Sequence, residues 1–177
     1  MKKYGIIKNL LSNQEVKLLS KYCKLTHINN HRGFDENQTG CGETYFYGDS
    51  LCESLSILKK QLIEKHSGYK LIPTYTFWRM YNFLSDLKKH RDRPSCEISC
   101  TVFIDSCSTP WPIFMDGKAV TLKPGDGVWY RGQEVEHWRE TFKGDWHAQM
   151  FLHYVNANGP HKEWAYDKRS VMQEEYK

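Results

Sequence analysis

The apolar positions of this chain change period near Pro73, and different elements are read on either side of that point. Upstream, Ser12-Asn13-Gln14-Glu15 has the form of a capping box, with Ser12 as N-cap and Glu15 reaching back. Val16, Leu19 and Cys23 follow at helical spacing, so a helix is expected from Asn13 to about Leu25, after an apolar lead-in from Ile6 to Leu11. Residues 26–48, rich in Asn, Gly, Thr and charge, read as a long irregular connection with a short strand at Tyr45-Phe46-Tyr47. A second capping box, Ser50-Leu51-Cys52-Glu53, opens the next expected helix. Leu51, Leu55, Leu58 and Leu62 form its apolar stripe, suited to covering a sheet, and Gly68 is placed to end it.

Beyond Pro73 the pattern alternates. From Thr74 to Phe83, Tyr75, Phe77, Arg79 and Tyr81 fall on one face of a strand and Thr76, Trp78 and Met80 on the other. Strand-like runs recur at Glu97 to Ile104, Trp111 to Phe114, Ala119 to Leu122, Gly127 to Tyr130 and Trp146 to Val155. Thr109-Pro110, Asp116-Gly117 and Pro124-Gly125-Asp126-Gly127 separate them, and Asp116-Gly117 between two short strands signals a hairpin. Two helices before six or more short strands predict an α+β fold: a double-stranded β-helix (jelly roll) with N-terminal helices packed on one sheet. The whole chain, 1–177, reads as one domain with its core at about 6–155 and a polar C-terminal tail at 156–177.

Composition narrows the function. An apolar share of 40% with 26% charged residues describes a soluble globular protein. No apolar run approaches the roughly 20 residues of a membrane span. Met1-Lys2-Lys3-Tyr4-Gly5-Ile6-Ile7 lacks the apolar region of a signal peptide, so a cytoplasmic location and a monomer are expected. The net charge of +4 is mild; the basic run Lys88 to Arg93 reads as solvated loop charge, and nucleic acid is not an expected partner. Six cysteines without paired C-x-x-C spacing read as reduced, mostly buried thiols. Cys96, Cys100 and His90 lack a fourth ligand at a familiar zinc spacing.

The candidate chemistry begins at His90-Arg91-Asp92. In extended chain, residues i and i+2 share a face, so an imidazole and a carboxylate converge. One further histidine completes a 2-His-1-carboxylate facial triad with open metal positions. The downstream candidates are His137, His147, His153 and His161.

The order of a tyrosine-bearing strand, H-x-D, hairpin, Pro-Gly-Asp turn, distal His and closing strand resembles the Fe(II)- and 2-oxoglutarate-dependent oxygenases, particularly their prolyl 4-hydroxylase-like branch. The resemblance runs from about Ile6 to Val155. It implies His90, Asp92 and His137 as metal ligands, Fe(II) and 2-oxoglutarate as cofactors with O₂ as cosubstrate, and hydroxylation of an unactivated C–H bond, a peptidyl proline being the leading substrate. Other peptide, protein or small-molecule substrates are compatible with it. Tyr81 matches a family tyrosine that hydrogen-bonds 2-oxoglutarate, and Ser99 and Thr101 are further cosubstrate candidates. The family anchors the far carboxylate with Arg or Lys about ten residues past the distal His; here that position is His147. His147 helped by Gln149, Arg139 in its stead, or weaker cosubstrate binding are three open readings. Trp129, Trp138 and Trp146 lie near the distal half of the site, with core filling the expected role of at least two of them, and Glu136 or Glu140 would either orient His137 or lie at the surface. The competing readings are a non-catalytic jelly-roll metal-binding module and a nucleic-acid-associated binding module.

Overall fold

Capping decides where both helices begin. The computed structural model describes residues 2–29 and 44–170. In α1 (Asn13–Asn29) the Ser12 amide donates to Glu15 Oε2 at 2.7 Å and the Glu15 amide to Ser12 Oγ at 3.3 Å, which is the expected box. The helix continues through four residues that the sequence reading assigned to the connection; residues 30–43 of that connection, Cys41 among them, lie outside the described residues. α2 (Ser50–Ser67) departs from its expected cap. The Asp49 carboxylate accepts from the Leu51 and Cys52 amides at 3.1 and 3.2 Å, and from the Tyr22 hydroxyl of α1. With Asp49 in that place, Glu53 turns inward and is fully buried. The apolar stripe rotates too: Cys52, Leu55 and Ile63 face inward while Leu58 is 72% exposed. Gly68 closes the helix as read, its amide bonded to the Glu64 carbonyl at 2.8 Å.

Two antiparallel sheets carry the rest. In spatial order the larger holds β1 (Tyr4–Ile7), β8 (Gly127–Arg131), β5 (Ile98–Ser106), β10 (Trp146–Asn156), β3 (Leu71–Asn82) and β2 (Thr44–Tyr47). The smaller holds β4 (Leu87–His90), β9 (His137–Arg139), β6 (Ile113–Met115) and β7 (Lys118–Val120). Alternation gives the larger sheet two unlike faces. Trp78, Met80, Cys100, Val102, Met150 and Leu152 share one buried cluster with Leu19 and Cys23 of α1 and Cys52, Leu55 and Ile63 of α2. The opposite face carries Tyr75, Phe77, Arg79 and Tyr81 of β3 toward the smaller sheet, as the strand's alternation predicts. Ile113, Met115 and Val120 pack against Val128 and Tyr130 to join the sheets.

Between β6 and β7, Asp116 and Gly117 have φ of 46° and 81°, so the expected hairpin closes with a two-residue turn of the mirror-image type that glycine favours. β4 replaces an expected loop. His137 lies on β9, a separate three-residue strand beyond the strand-like runs of the sequence reading.

The tail contributes more than its polarity suggests. A distorted 3-10 stretch, Lys162–Lys168, brings Asp167 to the Tyr47 hydroxyl (2.5 Å) and Arg93 (3.0 Å). Arg169 then donates to buried Glu53 at 2.6 Å and to the Thr74 carbonyl at 3.0 Å. Removing one partner of a buried pair strands the other charge in the interior. Arg169→Ala is therefore expected to destabilise the protein by roughly 2–4 kcal/mol, while Arg169→Ala with Glu53→Leu recovers much of that. Urea midpoints of the single and double variants measure both; equal losses would deny the coupling.

Candidate metal centre and its cavity

Asp92 is fixed through its backbone before its carboxylate is used. Its amide donates to the Gly132 carbonyl at 2.9 Å, and the Gly132 amide donates to the Glu97 carbonyl at 3.0 Å. A Cβ on residue 132 would lie 2.1 Å from the Cys96 carbonyl and 2.5 Å from Asp92 Oδ2, so only glycine permits this approach. His90 ends β4 and pairs in register with His137 of β9. The smaller sheet thus brings together two histidines distant in sequence.

Asp92 Oδ1 lies 3.7 Å from His90 Nε2 and 3.5 Å from His137 Nε2, and the two imidazole centroids are 4.2 Å apart. Both rings are held the same way: His90 Nδ1 sits 2.7 Å from the Lys88 carbonyl and His137 Nδ1 3.0 Å from the Val135 carbonyl. A carbonyl only accepts, so each Nδ1 carries a hydrogen, and a neutral ring held this way turns its Nε2 lone pair toward Asp92. Burial lowers the pKa of His137, which favours the neutral, ligating imidazole. Two imidazole nitrogens and one carboxylate oxygen with these separations fit a single metal at about 2.0–2.2 Å from each after small adjustments. Of the four downstream histidines, the geometry joins His137 to this group. His161 lies beside Glu163, His147 lines a different cavity, and His153 groups with Asp92 and Cys96. Cys96 Sγ contacts the Tyr75 hydroxyl at 3.1 Å, and burial pushes its thiol up to about 12.

The three residues border a cavity of about 210 Å³ between the sheets, walled by Tyr45, Tyr75, Phe77, Tyr81 and Phe151. Arg79, which the sequence reading placed on this face without a role, is 2% exposed and lines the same cavity. Its guanidinium carbon lies 5.0, 5.6 and 5.8 Å from the ring centres of Phe77, Tyr81 and Tyr45. A lone charge on the inward face of an aromatic strand was the available signal.

The other cosubstrate candidates lie behind this cavity. Arg139, two residues past His137 on β9, is buried; it donates to the Trp111 carbonyl and stacks over the Trp111 ring at 4.6 Å. Its Nε has no partner among the described residues. Burial lowers its pKa to about 10, which leaves it charged at neutral pH. His147 Nε2 meets Gln149 Oε1 at 3.0 Å, and Gln149 Nε2 donates to Thr101 Oγ1 at 2.6 Å. Arg139 and His147 line a second cavity of about 280 Å³. Tyr81 stands between the two groups: it lines the triad cavity, and its ring lies 6.4 Å from His147.

His147 stacks on Phe103 at 4.5 Å, and burial followed by the Arg139 charge pushes its pKa down to about 3. Burial likewise pushes His153 down to about 4. In the unfolded chain both return to about 6.5. Below pH 6.5 the unfolded chain binds protons that the folded one refuses, so stability falls from pH 6.5 toward 4, at up to roughly 1.4 kcal/mol per unit for each histidine. The urea midpoint of metal-free protein is expected to drop between pH 7 and 5, less steeply in His147→Gln. Parallel pH profiles would remove His147 from the account.

The structure also places the neighbouring candidates. Trp129 is a core residue and Trp146 packs against the same core, as expected of at least two of the three tryptophans, while Trp138 stacks on Phe114 at 5.1 Å; none of them lines the triad cavity. Neither acid orients His137: Glu140 accepts from Trp138 at 3.0 Å, Glu136 pairs with Lys89 at 3.7 Å, and the Val135 carbonyl takes the role. Ser99, a further cosubstrate candidate, donates to Asp92 Oδ2 at 2.9 Å.

No protein-family model and no curated protein matches the sequence. Solved structures do match in fold. A Pseudomonas putida prolyl-4-hydroxylase is 16% identical, with a TM-score of 0.70 over 87% of this chain and 92% of that one. The non-heme alpha-ketoglutarate-dependent epimerase SnoN from nogalamycin biosynthesis is 13% identical, with a TM-score of 0.71 over 88% and 79%. A viral collagen prolyl hydroxylase from Paramecium Bursaria Chlorella virus-1, solved with 2-oxoglutarate, is 13% identical, with a TM-score of 0.64 over 86% and 96%. The resemblance to the Fe(II)- and 2-oxoglutarate-dependent oxygenases therefore holds at the level of fold.

Proposed function

We propose that this chain is an Fe(II)- and 2-oxoglutarate-dependent dioxygenase that hydroxylates an unactivated C–H bond. The observation that carries the reading is the convergence of His90 Nε2, Asp92 Oδ1 and His137 Nε2 on the edge of an aromatic-walled cavity. The chemistry supplied by bound iron and cosubstrate is the coupled oxidation, by one O₂, of 2-oxoglutarate to succinate and CO₂ and of C–H to C–OH.

The chain's residues have distinct tasks in that reaction. His90, Asp92 and His137 would hold the metal and would leave positions open for 2-oxoglutarate and O₂. Arg139 takes the far carboxylate. Two residues along a strand advance about 6.6–6.8 Å, comparable with the reach of a five-carbon diacid, and Arg139 follows His137 by two. Tyr81 donates a hydrogen bond along the cosubstrate, and the His147–Gln149–Thr101 line closes the space behind it. Tyr45, Tyr75, Phe77 and Phe151 keep water from the reacting carbon and offer ring faces to an apolar substrate group. Peptidyl proline is the leading substrate, supported by those ring faces and by the two prolyl hydroxylases among the structural likenesses.

The test is anaerobic loading with Fe(II), then succinate release from 2-oxoglutarate on exposure to air, with and without proline-containing peptides. Succinate together with a one-oxygen mass gain on proline supports the whole reading. Succinate coupled to another compound keeps the enzyme and removes the substrate. Metal binding without succinate under any condition overturns the enzyme and favours a non-catalytic metal-binding module.

A further inference from the structure

We propose that Ser99 and His153 form a directional hydrogen-bond chain that positions the Asp92 carboxylate for the metal. The proposal rests on the metal reading above and assigns two residues beyond the ligand set.

Ser99 on β5 and His153 on β10 are directly opposed in register, and both are buried. Ser99 Oγ lies 2.9 Å from Asp92 Oδ2, 2.9 Å from His153 Nδ1 and 3.3 Å from the Cys96 carbonyl. A serine hydroxyl has one hydrogen to give. The carboxylate is the charged acceptor, and it is nearer than the Cys96 carbonyl, so the hydrogen points to Oδ2. The hydroxyl oxygen must then accept from His153, which fixes His153 with its hydrogen on Nδ1. The ring cannot turn away easily, because it packs against Tyr75 at 4.5 Å and lies parallel to Phe151.

The direction matters because the two oxygens of Asp92 are thereby given different work. Oδ2 is occupied by Ser99, and Oδ1 faces both His90 and His137. The Asp92 backbone is held independently through Gly132, so the carboxylate is restrained from both ends. Without the Ser99 bond it could rotate about its last torsion and present either oxygen, or neither, to the metal. A carboxylate held in place before the metal arrives binds more tightly. The same chain leaves His153 Nε2 unprotonated in a side chain that lines the cavity, where it offers a substrate N–H or O–H an acceptor.

Co(II) titration followed by its visible d–d spectrum, backed by Fe(II) affinity, tests the proposal on the parent, Ser99→Ala, Ser99→Thr and His153→Leu. Ser99→Ala is expected to weaken metal binding about 10–100-fold and to shift the Co(II) spectrum. Ser99→Thr, which keeps the hydroxyl, restores most of the affinity, and His153→Leu weakens it in the same direction as Ser99→Ala. A purely structural role would lower the melting temperature of the metal-free protein without the threonine rescue of the spectrum. Parent affinity and parent spectrum in Ser99→Ala overturn the proposal. Should that variant fail to fold, unchanged Co(II) affinity in His153→Leu overturns it instead. Failure of the parent itself to take up metal removes the underlying metal reading and the proposal with it, an outcome distinct from metal binding that ignores residue 99.

Discussion

Asp92→Ala is expected to abolish succinate formation and to raise the Fe(II) dissociation constant by on the order of 1,000-fold or more. Outer hydrogen-bond partners of a metal ligand are worth about 10–100-fold in affinity, and this change removes a ligand and its charge together. Two imidazoles remain, both tethered through Nδ1 to backbone carbonyls, so neither can move to replace the lost oxygen. Asp92→Asn refines the test. It keeps the shape and the Ser99 contact but removes the charge, and should fall between parent and alanine. Anaerobic Fe(II) competition against a chelating dye reads all three. Undiminished affinity in Asp92→Ala would move the metal elsewhere and sink the ligand assignment, whatever the activity.

The second large effect concerns the cosubstrate. Arg139→Ala should weaken 2-oxoglutarate roughly 30-fold to several thousand-fold, the equivalent of the 2–5 kcal/mol lost when a buried charge pair loses one member. Fe(II) affinity should stay near that of the parent, because the hydrogen bond and ring contact of Arg139 are with Trp111. His147→Ala offers the contrast. A neutral imidazole contributes one ordinary hydrogen bond, about 0.5–1.5 kcal/mol, and so less than about tenfold. Arg79→Ala belongs in the same series because its guanidinium lines the triad cavity. If Arg79→Ala rather than Arg139→Ala loses the cosubstrate, the anchor lies on β3 and the orientation of the acid in the barrel is reversed. The measurement is 2-oxoglutarate binding to Fe(II)-loaded protein without O₂.

The elements legible in the sequence are those whose determinants are local. Ser12 and Glu15 satisfy each other across one turn, Asp116-Gly117 dictates a turn type, and the alternation of Tyr75 to Tyr81 needs only the pleat. The H-x-D pair is local in the same sense. What escaped reading was decided by distant partners. Ser50 and Glu53 have the right chemistry for a cap, but Asp49 precedes them, and Glu53 is claimed by Arg169 from the far end of the chain. The rotation of α2 follows, and with it the exposure of Leu58. β9 is three residues long, too short for periodicity to register, yet it carries His137 and Arg139. Ser99 shows the same limit: its position on a strand was readable, but its use by Asp92 depends on a backbone path through Gly132.

The pairing of His90 with His137 joins the two ends of a long excursion of chain that includes β5, the β6–β7 hairpin and β8. An ion held between them acts on the unfolded ensemble much as a crosslink does, by forbidding the conformations in which those ends are far apart. For a covalent link closing a loop of this length the chain-entropy model gives about 4 kcal/mol, an upper bound for a dissociable bond. Loading the site should therefore slow amide hydrogen exchange most in β4 and β9, the strands the excursion must bring home.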